Sequence, residues 1–216
     1  VLALSTALAL SACGGDDDAA PTPGPAPVTQ NATAQLALLE TTDLHYYGRS
    51  YNYYADKEDK GVGLERTATL IHQARAEFAN TLLVDNGDTV QGTVLGTYEA
   101  QVAPIPATQQ LTMYKAMATL KYDAGVLGNH EFNFGLPYLN QILGGGLDVA
   151  GVDPAAGIKA NGPGFPMVTA NVTSLKTGKP LIEPYVILER DLTVTLADGS
   201  SGKVPIKIGV LGLTTP

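Results

Sequence analysis

The chain has 216 residues, enough for one α/β domain with a well-buried core, or for a smaller domain with tails. Its 21 acidic residues outnumber 13 basic ones for a net charge of −8, with no run of lysines or arginines, which argues against a nucleic-acid polymer or an anionic lipid surface as an electrostatic partner. The single cysteine, Cys13, excludes an intrachain disulfide and a thiolate cage for structural zinc.

Val1 to Ala12 is small and apolar, too short to span a membrane, and ends in Leu10-Ser11-Ala12 before Cys13. Gly14-Gly15-Asp16-Asp17-Asp18 follows, poor material for burying a cysteine, so residues 1–13 resemble the end of a lipoprotein signal with its lipobox. With neither an initiator methionine nor a basic segment ahead of it, the start of that signal is expected to lie before Val1. Residues 14–34 hold four spaced prolines among small and acidic residues and read as a disordered tether. The globular part, residues 35–216, begins at Gln35.

From there strands and helices alternate. Gln35 to Thr42 reads as a buried strand, and Leu64, Ala68, Ile71, Arg75 and Phe78 repeat at helical spacing. Thr81 to Val84 is a second strand; Met113, Met117 and Leu120 mark the inner face of the next helix; Asp123 to Leu127 is a strand, and Gly135 to Leu143 a short helix. Residues 144–164 are glycine-rich with little periodicity, which predicts a flexible surface insertion. Met167 to Ala170, Tyr185 to Glu189, Leu192 to Leu196 and Val204 to Leu213 read as strands, with Asp198-Gly199 as turn chemistry.

Each of three strand ends delivers metal-ligand chemistry into a loop, where α/β proteins place their sites. In Thr41-Thr42-Asp43-Leu44-His45, an extended backbone would point Asp43 and His45 the same way, towards one ion. In Val84-Asp85-Asn86-Gly87-Asp88, the two carboxylate oxygens of Asp88 suit a bridge between ions, while Gly87 permits close backbone approach. In Gly128-Asn129-His130-Glu131, the Asn129 carbonyl can bind a second ion without adding charge, leaving His130 free to act on substrate.

These three elements, in this order and each after a strand, resemble the calcineurin-like metallophosphoesterase superfamily. Glu40 to His45, Leu83 to Asp88 and Leu127 to Gly135 are similar to the bacterial 2′,3′-cyclic-nucleotide 2′-phosphodiesterase/3′-nucleotidases, as are Phe165 to Asn171 and Ile206 to Val210. The resemblance implies a four-layer α-β-β-α sandwich, incomplete in this chain. It implies two divalent ions (Mn, Zn, Co, Fe or Mg): Asp43 and His45 on the first, Asp88 bridging, Asn129 on the second, and His130 stabilising the transition state. The implied reaction is hydrolysis of 2′,3′-cyclic nucleotides to 3′-nucleotides and then nucleosides, with a hydroxide held between the ions as nucleophile. The family takes further ligands from later histidines, including a Gly-His-x-His element, and carries a nucleoside-binding domain. Here the histidines are His45, His72 and His130, so the chain is expected to be a piece cut after Pro216 and inactive alone, with a degenerate relative as the alternative.

His72 reads as a surface residue. Glu131 is assigned to orienting a ligand from behind, with capping of the next turn as the alternative. Asn86 reads as shaping its loop, and Asp56 to Lys60 as a solvated charge run. Tyr46, Tyr47, Tyr51, Tyr53 and Tyr54 divide evenly between a stacking rim for a base and a loop packing on itself. Asn133 separates the branches, because 5′-nucleotidase-like relatives carry an acid three residues after the catalytic histidine. A 5′-nucleotidase or nucleotide-sugar hydrolase, and a non-catalytic ligand-binding lipoprotein, are the alternatives. The expected partners are a small nucleotide substrate and, through lipid on Cys13, a bacterial envelope membrane facing the periplasm or exterior. A monomer is expected.

Overall fold

The computed structural model describes residues 31–157 and 162–215. The sheet is four-stranded and parallel, in the order β1-β4-β5-β6. Its strands are β1 (Ala37–Thr41), β4 (Thr81–Asp85), β5 (Ala124–Val126) and β6 (Met167–Val168). Parallel neighbours need a crossover, and α1 (Leu64–Glu77), the pair α2 (Val94–Thr97) and α3 (Thr112–Thr119), and α4 (Leu136–Leu143) supply them in turn. The strands therefore all end on one edge, where the three loops carrying Asp43, Asp88 and His130 lie. Two antiparallel pairs stand outside this sheet: a short hairpin of β2 (Tyr51–Asn52) with β3 (Lys57–Glu58), and a long ribbon of β7 (Tyr185–Thr195) with β8 (Ser201–Leu211).

One apolar core joins sheet and helices: Leu83 from β4 and Leu127 after β5 meet Ile71 of α1, Met113 and Met117 of α3, and Leu139 and Ile142 of α4. Full burial of each such side chain contributes about 1.5–3 kcal/mol. Arg75, at a core-spaced position of α1, resolves its charge by donating to the Leu120 and Lys121 carbonyls at 2.6 and 3.0 Å, which ties α1 to the end of α3. The fold class is the expected mixed α/β one, with one sheet and its helices and a two-stranded ribbon.

Several element readings change. The first strand is not buried but an edge strand; Leu36 and Leu38 stand 40% and 64% exposed while Leu39 packs on the core. Tyr185 to Glu189 and Leu192 to Leu196 are one strand, because β8 pairs with it without a break from Leu211 to Ser201. Asp56 to Lys60 is not simply a solvated run, since Lys57 and Glu58 form β3 against β2. The predicted flexible insertion is folded back over residues 144–157. Leu147 and Val149 are buried, Asn140 of α4 donates to the Asp153 carbonyl at 2.9 Å, and its side-chain oxygen accepts the Leu147 N–H at 2.9 Å. A polar residue buried in a helix did this work, and periodicity does not register it. Thr33 pairs with Thr195, so residues just ahead of Gln35 already join the fold. The lipobox with Cys13, and the tether up to residue 30, lie outside the described residues.

Candidate metal centre

The loops after β1 and β4 use backbone that glycine usually supplies, and besides Gly87 and Gly92 the positive-φ positions there are Asp43, His45, Tyr46 and Asp88, with φ of 52°, 45°, 62° and 59°. Asp and His tolerate this region better than most residues, but each such position costs on the order of 1–3 kcal/mol unless its surroundings enforce it. They do so by a short ladder: the amides of Asp43, His45 and Tyr46 donate to the carbonyls of Gly87, Asp88 and Thr89 at 3.0, 2.8 and 2.8 Å. Asp43 and His45 thus converge through a left-handed turn rather than the expected extended backbone. Glycines let the loops touch: a Cβ on Gly92 would lie 2.6 Å from His45 Cβ, and one on Gly128 would lie 2.3 Å from Asp88 Oδ1.

His45, Asp88 and His130 each offer one ligand atom, and these lie within 4.8 Å of one another. The two imidazoles meet edge to face with centroids 5.0 Å apart. His45 Nδ1 lies 2.8 Å from the Gln91 carbonyl, so that nitrogen donates and Nε2 is left facing Asp43 Oδ1 at 3.5 Å. Asp88 Oδ1 accepts the His130 backbone N–H at 2.8 Å, which locks the second loop to the third. His130 Nδ1 lies 2.6 Å from Asn133 Oδ1, so Asn133 orients the ring and leaves Nε2 towards the cluster. Asn129 opens the same short 3-10 turn and is exposed beside His130. His72 is exposed on α1, away from these loops.

Two carboxylates stand behind the ligands. Glu131 is 1% exposed and accepts four backbone N–H groups: Asp88, Thr89, Val90 and Gly128, at 2.8, 2.6, 3.3 and 2.7 Å. It both caps its own turn through Gly128 and shapes the Asp88 loop. Burial pushes its carboxyl above the usual range, opposed by the Thr89, Asp88 and Gly128 amides. Asp85, also 1% exposed, accepts from the hydroxyls of Thr41 and Thr89 at 2.6 and 2.9 Å and from the Gly87 amide at 3.1 Å. Burial outweighs those donors and pushes Asp85 up to about 7. Sequence reasoning had no role for Asp85 beyond its loop, nor for the Gln91 carbonyl.

A family model for calcineurin-like phosphoesterases matches residues 36–195. The chain belongs to that family. Within the calcineurin-like phosphoesterases it matches the N-terminal domain of the bacterial cyclic-nucleotide branch. It is 44% identical over 187 residues to the 2′,3′-cyclic-nucleotide 2′-phosphodiesterase/3′-nucleotidase of Yersinia enterocolitica and 42% identical over 185 residues to that of Salmonella typhimurium. These matches cover 87% and 86% of this chain, but the chain spans only 25% of either relative's length. The crystal structure of the calcineurin-like phosphoesterase YfkN from Bacillus subtilis superposes with a TM-score of 0.67 at 39% identity, over 85% of this chain and 49% of that one.

The donor set fits the family's metal-dependent chemistry. Imidazole nitrogen with carboxylate and amide oxygen suits first-row divalent ions and magnesium. The Gln91 carbonyl on His45 is the kind of outer contact that aims a ligating imidazole. The described residues gather a single cluster of three ligating side chains, with Asp43 against one of them.

Proposed function

We propose that this chain supplies the metal-binding half of an active site that hydrolyses 2′,3′-cyclic nucleotides to 3′-nucleotides and then to nucleosides and phosphate. The observation that carries the reading is the convergence of His45, Asp88 and His130 on one point at the sheet edge, in a chain most like the cyclic-nucleotide enzymes among the relatives above. Asp43, His45, Asp88 and Asn129 would hold two divalent ions there. When bound, they supply positive charge to the phosphoryl oxygens and bring a water to near-neutral pKa. The chain's own residues do the rest. His130, its Nδ1–H held by Asn133, would as an imidazolium donate its Nε2 proton to the departing sugar oxygen, which leaves poorly as an alkoxide. Asp88 fixes the His130 amide, so ligand and proton donor move as one unit.

The full-length protein is expected to turn over a 2′,3′-cyclic nucleotide with manganese and to lose that activity on chelation. Absence of turnover would defeat the reading. In the same assay Asn133→Asp places a carboxylate on His130 Nδ1, favouring the imidazolium to higher pH than the amide does. The basic limb of kcat/KM against pH should therefore move upward; superimposable profiles at equal metal content would show that residue 133 does not tune His130.

We propose further that Cys13 carries lipid and holds the domain at a bacterial envelope membrane, facing the periplasm or exterior. The support is Leu10-Ser11-Ala12-Cys13-Gly14 ahead of a proline-spaced tether. No helix among the described residues is long and apolar enough to cross a membrane. Stable anchoring needs two acyl chains or an equivalent second signal. Cys13→Ser should move the protein from the membrane to the soluble fraction, and unchanged partitioning would count against lipidation.

A further inference from the structure

A cavity of about 980 Å³ lies between the β2–β3 hairpin and α1, at the upper end of the volumes that ligands occupy. A second, of about 380 Å³, includes Asp43 in its lining, and Arg66 and Leu70 line both, so the two adjoin across α1. One wall of the larger cavity is aromatic. Tyr51 is held by donating its hydroxyl to Asp56 Oδ1 at 2.5 Å, and Tyr53, 39% exposed, stands edge to face with it at 5.1 Å between centroids. Such a pair offers a ring surface already ordered before any ligand arrives. Tyr46, by contrast, is a core residue, 1% exposed, so that ring of the tyrosine run packs on the protein itself.

The charges are unevenly matched. Arg49 is committed to Glu65 at 2.7 Å, whereas the Arg66 guanidinium reaches Glu58 only at 3.9 Å and makes no hydrogen bond among the described residues. Lys60 lines the smaller cavity, as Asp43 does, and has no ion pair among the described residues. Ser50, 7% exposed in the lining of the larger cavity, donates its amide N–H to the Glu65 carboxylate at 2.8 Å, which fixes that part of the wall.

We propose that this trough binds a second nucleotide unit of an extended substrate, its base against Tyr53 and its phosphate between Arg66 and Lys60, while the terminal cyclic phosphate occupies the metal centre. This rests on the phosphodiesterase reading of that centre. The test uses the full-length protein with manganese and compares kcat/KM for a 2′,3′-cyclic mononucleotide and for a dinucleotide ending in a 2′,3′-cyclic phosphate. The dinucleotide is expected to be preferred by about tenfold, the scale of one base stacked on an aromatic ring. Tyr53→Ala and Arg66→Ala should each remove most of that preference and change the mononucleotide value less than about twofold. No preference in the unaltered protein, or variants that lower both substrates alike, would overturn it. If neither cyclic substrate turns over, the activity reading fails and the trough is judged by calorimetry, with a 3′,5′-linked dinucleoside monophosphate titrated into chelated protein. Binding that Tyr53→Ala weakens about tenfold sustains the site, and no binding, or binding that the variant leaves unchanged, ends it.

Discussion

Replacing Glu131 by glutamine is expected to destabilise the domain by about 3 kcal/mol or more and to weaken divalent-ion binding by about 10- to 100-fold. The carboxylate presents acceptors only: Oε1 to the amides of Thr89 and Val90, Oε2 to those of Asp88 and Gly128. An amide group in its place turns one oxygen into a donor, so one pair of backbone N–H groups loses its acceptor and faces another N–H. No water replaces the lost contact easily, because the site is 1% exposed. The damage reaches the ligands because Asp88 belongs to the loop so held, and His130 is both the neighbour of Glu131 and tied to Asp88 Oδ1. Aspartate should not rescue, since its shorter stem cannot reach both loops at once. Denaturant unfolding of the chelated full-length protein gives the first figure, and manganese titration by calorimetry gives the second. Wild-type values in both would remove Glu131 from any role in holding the centre.

That residue marks the boundary of what could be read from sequence. Asp43, His45, Asp88 and His130 were visible because each follows an apolar strand, and a parallel sheet with helical crossovers brings strand ends together without further instruction. Helix α1 was legible from its apolar repeat, and α4 was placed within one residue of its observed Leu136–Leu143 span. Nothing local foretells that Glu131 reaches back to the amides of Asp88 to Val90, or that Asp85 shares Thr41 with Tyr122 across the sheet. Nor is there a local mark for the left-handed turn at His45 and Tyr46, which the neighbouring loop enforces through its carbonyls. The Gly144 segment misled for a similar reason: its order comes from Asn140, a polar residue on the buried side of α4. Periodicity reports which face is apolar. It is silent on which polar groups are satisfied at long range, and those groups hold this centre.

Asp85→Asn tests that distant network through pH. Burial pushes Asp85 up to about 7 in the folded chain from a usual 3.8, so between these values the folded state keeps a proton that the unfolded chain has released. More protons bound in the folded state means that stability falls as pH rises. The contribution is fully favourable below about pH 4 and lost by about pH 7, a total near 4 kcal/mol at 1.36 kcal/mol per unit. Asparagine removes this dependence while keeping the contacts. Its oxygen can accept from Gly87 and Thr89, and its amide can donate to Thr41, whose own proton then turns to the Tyr122 hydroxyl 2.9 Å away. The chelated variant should therefore gain on wild type as pH rises from about 4 to about 7, by up to about 4 kcal/mol in denaturant unfolding. Curves that stay parallel across this window would mean that Asp85 ionises in the fold as it does in water. The thermodynamic cost of placing this carboxylate beneath the Asp88 loop would then be nil.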